Sequence, residues 1–228
     1  MRPLVLAVAA LITPALAAAH DLWLEPGGDG FLLRYGHRGK ELLAIQAPRV
    51  KALRCVERGA AKDVLASAAF TPREVKVQAR CDAISASHYG GFYSLTPDGE
   101  VNLPRTKVQG AVKAWESKQF AKWVDARSPA AAAPLGDELE IVPASDLARA
   151  RSGDKIAVRV LHQGKPVSGA IVAIDHRPIG ETDSHGETRL RLRTAGIESL
   201  TASLRRPVAT PEADAIVLEA SLTFEVAK

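Results

Sequence analysis

The chain has 228 residues, 46% of them hydrophobic, with a mean hydropathy of −0.03. This is enough apolar material for one large domain or two small ones, and no stretch approaches the ~20 consecutive apolar residues that span a bilayer. The formal charge of +4 and the isoelectric point near 9.2 come from Lys and Arg spread along the chain, and without a basic stripe interleaved with aromatics nucleic acid is excluded as a partner.

Residues 1–19 read as a secretory signal: Arg2 gives a positive start, residues 4–12 an apolar run, and residues 14–19 a small-residue cleavage zone. A periplasmic protein with no transmembrane segment in its mature chain is expected. Cleavage after Ala19 would release His20 as the first residue, and cleavage after Ala17 would release Ala18. A terminal His20 offers its amine and one ring nitrogen as a chelate. A terminal Ala18-Ala19-His20 offers the amine, two backbone nitrogens and the imidazole, a square-planar set suited to Cu(II) or Ni(II). Amine and imidazole both titrate near neutrality, so metal binding should weaken under acid.

Downstream of residue 30, strand signals dominate the chain. Residues 31–37, 50–56 and 73–81 are short apolar runs bounded by Gly, Pro or Asp, and Pro97-Asp98-Gly99 marks a turn. Residues 108–124 break the pattern, because Val112, Trp115, Gln119/Phe120 and Trp123 recur at three-to-four spacing and predict a helix. Residues 128–134 have the composition of a connector, which puts a domain boundary at 134. Beyond it, alternating strands at roughly ten-residue spacing run to a last strand at residues 215–226 and indicate an antiparallel sandwich. The expected fold is all-β: two Ig-like or transthyretin-like β-sandwich domains, residues 20–134 and 135–228, with one short helix near 110–124 in the first. Cys55 and Cys81 are expected to form one disulfide in an oxidising compartment.

No HExxH, GxSxG, P-loop or dinucleotide-binding glycine motif is present, so an enzyme is not expected. His37 lies between Gly36 and Gly39 at a strand end or turn, where an imidazole can project from a rim. His88 in "SHYGG" repeats that arrangement. In "DHRPIGETDSH", pairing of two strands would let His176 and Asp183 face one another.

Taken in order, "AHDLWLEP", "YGHRGKE", "GFYSLTPDGEVNLP", "KAWESKQFAKW", "LGDELEIVP" and the run from "GDKIAVRV" to "ETRLRL" resemble the exported DUF4198 family. That family is commonly labelled a periplasmic component of nickel or cobalt transport, and its second half is similar to the carboxypeptidase-regulatory or transthyretin-like sandwich. The resemblance implies a periplasmic β-sandwich protein tied to metal uptake, with His20 and His37 as the positions carried over as ligands. The chain departs from the transporter subunits in having no membrane helix after its signal and no methionine-rich stretch. The expected function is a soluble carrier of a divalent transition metal, Ni, Co or Cu, accessory to a membrane metal transporter. His20 is its anchor, His37 the next ligand, and His88 or His176 a third. The alternative is a metal-free structural or interaction module of the cell envelope.

Overall fold

The computed structural model describes residues 20–193 and 195–227, so the expected signal at 1–19 lies outside the described residues. The first half forms β1 (Asp21–Gly27), β2 (Gly30–His37), β3 (Glu41–Leu43), β4 (Val50–Glu57), β5 (Ala60–Asp63), β6 (Ala68–Phe70), β7 (Val75–Val77), β8 (Ala83–Thr96), β9 (Gly99–Val101) and β10 (Lys113–Val124). The second half adds β11 (Leu139–Pro143), β12 (Lys155–His162), β13 (Lys165–Pro166), β14 (Ile171–Ile174), β15 (Arg177–Glu181), β16 (Glu187–Arg191), β17 (Gly196–Pro207) and β18 (Ala215–Val226). Among the described residues only short 3-10 turns interrupt the strands, so the fold is all-β. Among the same residues no helix is long and apolar enough to cross a membrane.

One large sheet runs β15-β14-β17-β18-β10-β8-β4-β5, with β9 on β8, and two smaller sheets pack against it. The first small sheet, β1-β2-β7-β6 with β3 on β2, closes a core of Leu22, Leu24, Phe31 and Leu33 over Leu53, Ile84 and Ala121. The second, β11-β12-β13 with β16 on β12, closes a core of Ile141, Ile156, Val158 and Leu190 over Val172, Leu200, Leu218 and Phe224. Two sandwiches are therefore present, and they share the large sheet. The shared seam is β10, parallel to β18 on one side and antiparallel to β8 on the other.

This seam corrects the helix expected near 110–124, which is strand β10. A central strand with both faces covered loses the polar half of its alternation: Gln119, Phe120, Ala121 and Lys122 are consecutive buried residues. Phe120 and Val124 enter the second core while Ala121 and Trp123 join the first. With apolar residues on both faces, Val112, Trp115, Phe120 and Trp123 fall at spacings that imitate a helical period, while the bulge in the β8–β10 pairing lies on β8, where Gly90 is the extra residue opposite Ser117 and Lys118. The expected strand at residues 73–81 is pared to β7, whereas the turn at Pro97-Asp98 does connect β8 to β9.

The connector is tied down by a buried ion pair. Lys122 and Glu140 side chains are 2% and 3% exposed, with Nζ 2.8 Å from Glu140 Oε1 and 2.7 Å from the Ala133 carbonyl. Glu140 also accepts the backbone N–H groups of Leu135 and Gly136. Cys55 and Cys81 form the expected disulfide, fastening β4 to the segment that enters β8.

Both ties should register in unfolding measurements. Lys122→Met should cost about 3–5 kcal/mol in urea denaturation, because it strands the buried Glu140 carboxylate without its cation. The Cys55→Ser/Cys81→Ser pair should cost about 2–4 kcal/mol by the same measurement.

Candidate functional site

The hairpin of β1 and β2 turns at Gly28 and Asp29, where Gly28 takes φ 62, and its register sets Gly27 opposite Gly30 and Asp21 opposite Gly36. One further step in that register brings His20 opposite His37. Their ring centroids lie 4.8 Å apart at 61°, the distance of a cross-strand pair. From there a row of rings extends both ways. His37 lies 5.7 Å from His176, His20 lies 5.6 Å from Tyr35, and Tyr35 lies 5.4 Å from His88. All four histidines singled out from the sequence thus belong to one row.

His176 reaches it from the other half of the chain. It sits with Asp175 in the two-residue turn between β14 and β15, both at positive φ (60 and 47), a conformation that Gly or Asn fills more readily. Its Nε2 is 3.2 Å from Asp21 Oδ2. The facing of His176 and Asp183 that strand pairing would allow does not occur, because Asp183 Oδ1 accepts the N–H groups of His185 and Glu187 within its own turn. His88 likewise sits inside long strand β8, 4% exposed, rather than at a turn.

The floor of the site is polar and buried. Gln119 Nε2 donates to the His20 carbonyl at 2.7 Å and to Glu219 Oε2 at 3.1 Å, while Gln119 Oε1 lies 3.1 Å from His88 Nδ1. An amide oxygen only accepts, so His88 Nδ1 carries the proton and Nε2 keeps the lone pair. Ser221 Oγ donates to the Leu22 carbonyl at 2.6 Å, a second pin on the start of β1. The sequence does not single out Asp21, Tyr35, Gln119 or Glu219. Counting outward from the Gly28-Asp29 turn would pair His20 with His37, but nothing local marks residues contributed by β10 and β18.

Burial sets the charge states here. It lowers the pKa of His20, with neighbouring His37 adding to the effect and Glu41 opposing it. His88 is lowered to about 4, by burial first, against the hydrogen bond to Gln119. The same desolvation raises Asp21 to about 6 and Glu219 to about 7. His20 and His88 are therefore held as neutral imidazoles over carboxylates that ionise reluctantly.

His37 carries an unsatisfied atom: Nδ1 lies 4.0 Å from Glu41 Oε2, whereas Nε2 is buried with no hydrogen-bond partner. Two imidazoles sharing one transition-metal ion at the usual ~2.0–2.1 Å have ring centres about 4.5–6 Å apart. The separations of 4.8 and 5.7 Å fall in that range. Among the described residues no group of three or more His, Cys, Asp or Glu side chains is arranged to hold a metal ion, so the arrangement is a row of pairs.

A family described as "Domain of unknown function (DUF4198)" matches residues 17–205. The chain belongs to the DUF4198 family. An uncharacterized protein of Haemophilus influenzae is 23% identical over 242 residues, which cover 99% of this DUF4198 chain and 98% of the relative. Among solved structures, the D0-D1 domain of Intimin aligns with 90% of the chain and 98% of its own at 12% identity, with a TM-score of 0.22 that carries no argument.

Glu219 generates a pH prediction for this DUF4198 protein. Its folded pKa, about 7, exceeds the ordinary value of 4.5, so the native state binds the proton more tightly than the unfolded chain. This group's contribution is most favourable below about pH 4.5 and is lost as pH rises through about 7. Glu219→Gln keeps an acceptor for Gln119 and removes the titration. Urea melts should show the variant gaining on wild type by on the order of 2 kcal/mol between pH 4.5 and pH 8.

Proposed function

We propose that this is an exported periplasmic protein that carries one divalent transition-metal ion, Ni(II), Co(II) or Cu(II), at its processed amino terminus and hands it to a membrane metal transporter. The observation that carries the reading is the buried Nε2 of His37, left without a partner beside the His20 ring. A buried ring nitrogen with no hydrogen bond costs stability unless something else uses its lone pair. The His20–His37 pair would supply imidazoles and the amine exposed by signal cleavage the remaining nitrogen of a chelate, with His176, 5.7 Å from His37, drawn in as a third imidazole when the ion binds. His88 would act one step removed, holding Gln119 and through it the His20 carbonyl. Neutral imidazoles suit Ni, Co and Cu alike, and burial lowers the proton affinity of His20, which keeps this anchor available at mild pH.

A carrier of this kind needs no catalytic group, and the role proposed is binding and delivery. One other reading has an observation behind it. Val101, Leu103 and Val112, at the far end of the β8–β10 hairpin, are 38%, 45% and 62% exposed, as in an envelope interaction module that binds no metal.

The test is native mass spectrometry on protein exported and processed through its own signal, with Ni(II) or Cu(II) added. A chain starting at His20 or Ala18 should take up one metal ion against weak competing chelators. His20→Ala and His37→Ala should each weaken binding by about 100-fold or more, beyond the usual cost of losing a supporting group. The exposed His185→Ala should leave it unchanged. A correctly processed chain that takes no metal would sink the reading and favour the interaction module.

A further inference from the structure

Beside His176 lies a cleft of about 370 Å³ with four cationic side chains in its walls. Arg38 and Lys40 enter it from the turn after β2, Arg177 from β15 and Arg193 from the segment after β16. Asp21 and Asp175 are the acidic residues facing them, so four permanent cations meet two carboxylates. Arg193 Nη1 is 3.4 Å from Asp175 Oδ2, Asp21 is engaged with His176, and Arg38 Nε lies 3.9 Å from Glu25 across the rim. Lys40 and Arg177 have no ion-pair partner among the described residues.

Such an excess has a direct consequence for the neighbouring histidines. The charges nearest the two rings are carboxylates, Asp21 beside His176 and Glu41 beside His37, but the cleft that leads to His176 carries a cationic excess that disfavours a bare divalent cation. A cargo of net negative charge meets attraction instead. Guanidinium groups pair with carboxylates in a planar two-point geometry, and a lysine adds a mobile point charge. The cleft is at the small end of ligand-binding clefts, about 300–1,000 Å³, and fits a metabolite-sized molecule rather than a peptide.

We propose that the cleft between Arg38, Lys40, Arg177 and Arg193 binds a small polycarboxylate, which enters together with the metal as an anionic chelate. This rests on the metal-carrier reading for the cargo as a whole, while the anion site stands on its own residues. Lys40 and Arg177 do most to discriminate, because neither is already neutralised by the protein.

Citrate is the probe, applied to the signal-processed full chain in three forms: citrate alone by calorimetry, Ni(II) alone, and preformed Ni(II)–citrate by native mass spectrometry. Wild type should bind citrate alone and retain an adduct containing one nickel and one citrate. Lys40→Gln/Arg177→Gln, at two exposed positions, should weaken citrate binding at least tenfold and keep nickel without citrate. Absence of citrate in both measurements, or equal retention by the double variant, would overturn the cleft assignment even if bare nickel binds. Citrate binding that the double variant loses, on a chain that takes up no nickel in any form, would sink the metal-carrier reading and the joint cargo and leave the polycarboxylate site standing.

Discussion

The parallel pairing of β10 with β18 is the constraint on which the rest of this molecule hangs. It runs from Trp115 opposite Ala215 to Val124 opposite Phe224 and fuses what would otherwise be two separate sandwiches into one sheet. Because the pairing is parallel, no hairpin can make it, and the whole second half of the chain forms the crossover between the two strands. Buried side chains at the seam then serve both sides of the sheet. Phe120 and Val124 fill one core, while Ala121 and Trp123 fill or pack against the other.

The same two strands fix the start of β1. Gln119 from β10 holds the His20 carbonyl and Ser221 from β18 holds the Leu22 carbonyl, so the beginning of β1 is clamped from below. A terminal segment without such bonds would fray. The clamp orients His20 toward His37 through the hairpin register, and Glu219 and His88 complete it, one accepting from the same Gln119 nitrogen and the other donating to the amide oxygen. Every polar atom of that amide is therefore committed, which leaves the glutamine little freedom to move.

How much of this can be read in the sequence depends on the range of the interaction. Turn chemistry at Pro97-Asp98 and strand runs such as residues 31–37 and 215–226 are local, and they are legible. The disulfide needs only two cysteines and an oxidising compartment. Strand β10 imitates a helix because its true signal is tertiary: being covered on both faces erases the alternation that identifies a strand. His20 is legible from its place after the expected signal, His37 and His88 from their glycine neighbours and His176 from the acidic residues around it, yet their convergence is not, since His176 meets His37 only through a turn on the far half of the large sheet. The buried partners Gln119 and Glu219 carry no motif at all. They face each other across β10 and β18, strands about a hundred residues apart in the chain.

That long-range assembly explains why a shared sheet, rather than a flexible linker, connects the two halves. Domains joined by a linker shift relative to one another unless a large interface holds them. Here His37 and Asp21 come from the first small sheet, and His176 arrives on the β14–β15 turn at the other end of the large one. Their spacing survives only if β14, β17, β18 and β10 keep their order. The continuous ladder of strands supplies that rigidity, and Lys122, buried with Glu140, holds the connector against it. The strained turn at Asp175 and His176 is then tolerable, since the sheet beneath over-determines it. A row of imidazoles drawn from two sandwiches can thus be kept within ring-contact distance without a disulfide or a helix near it.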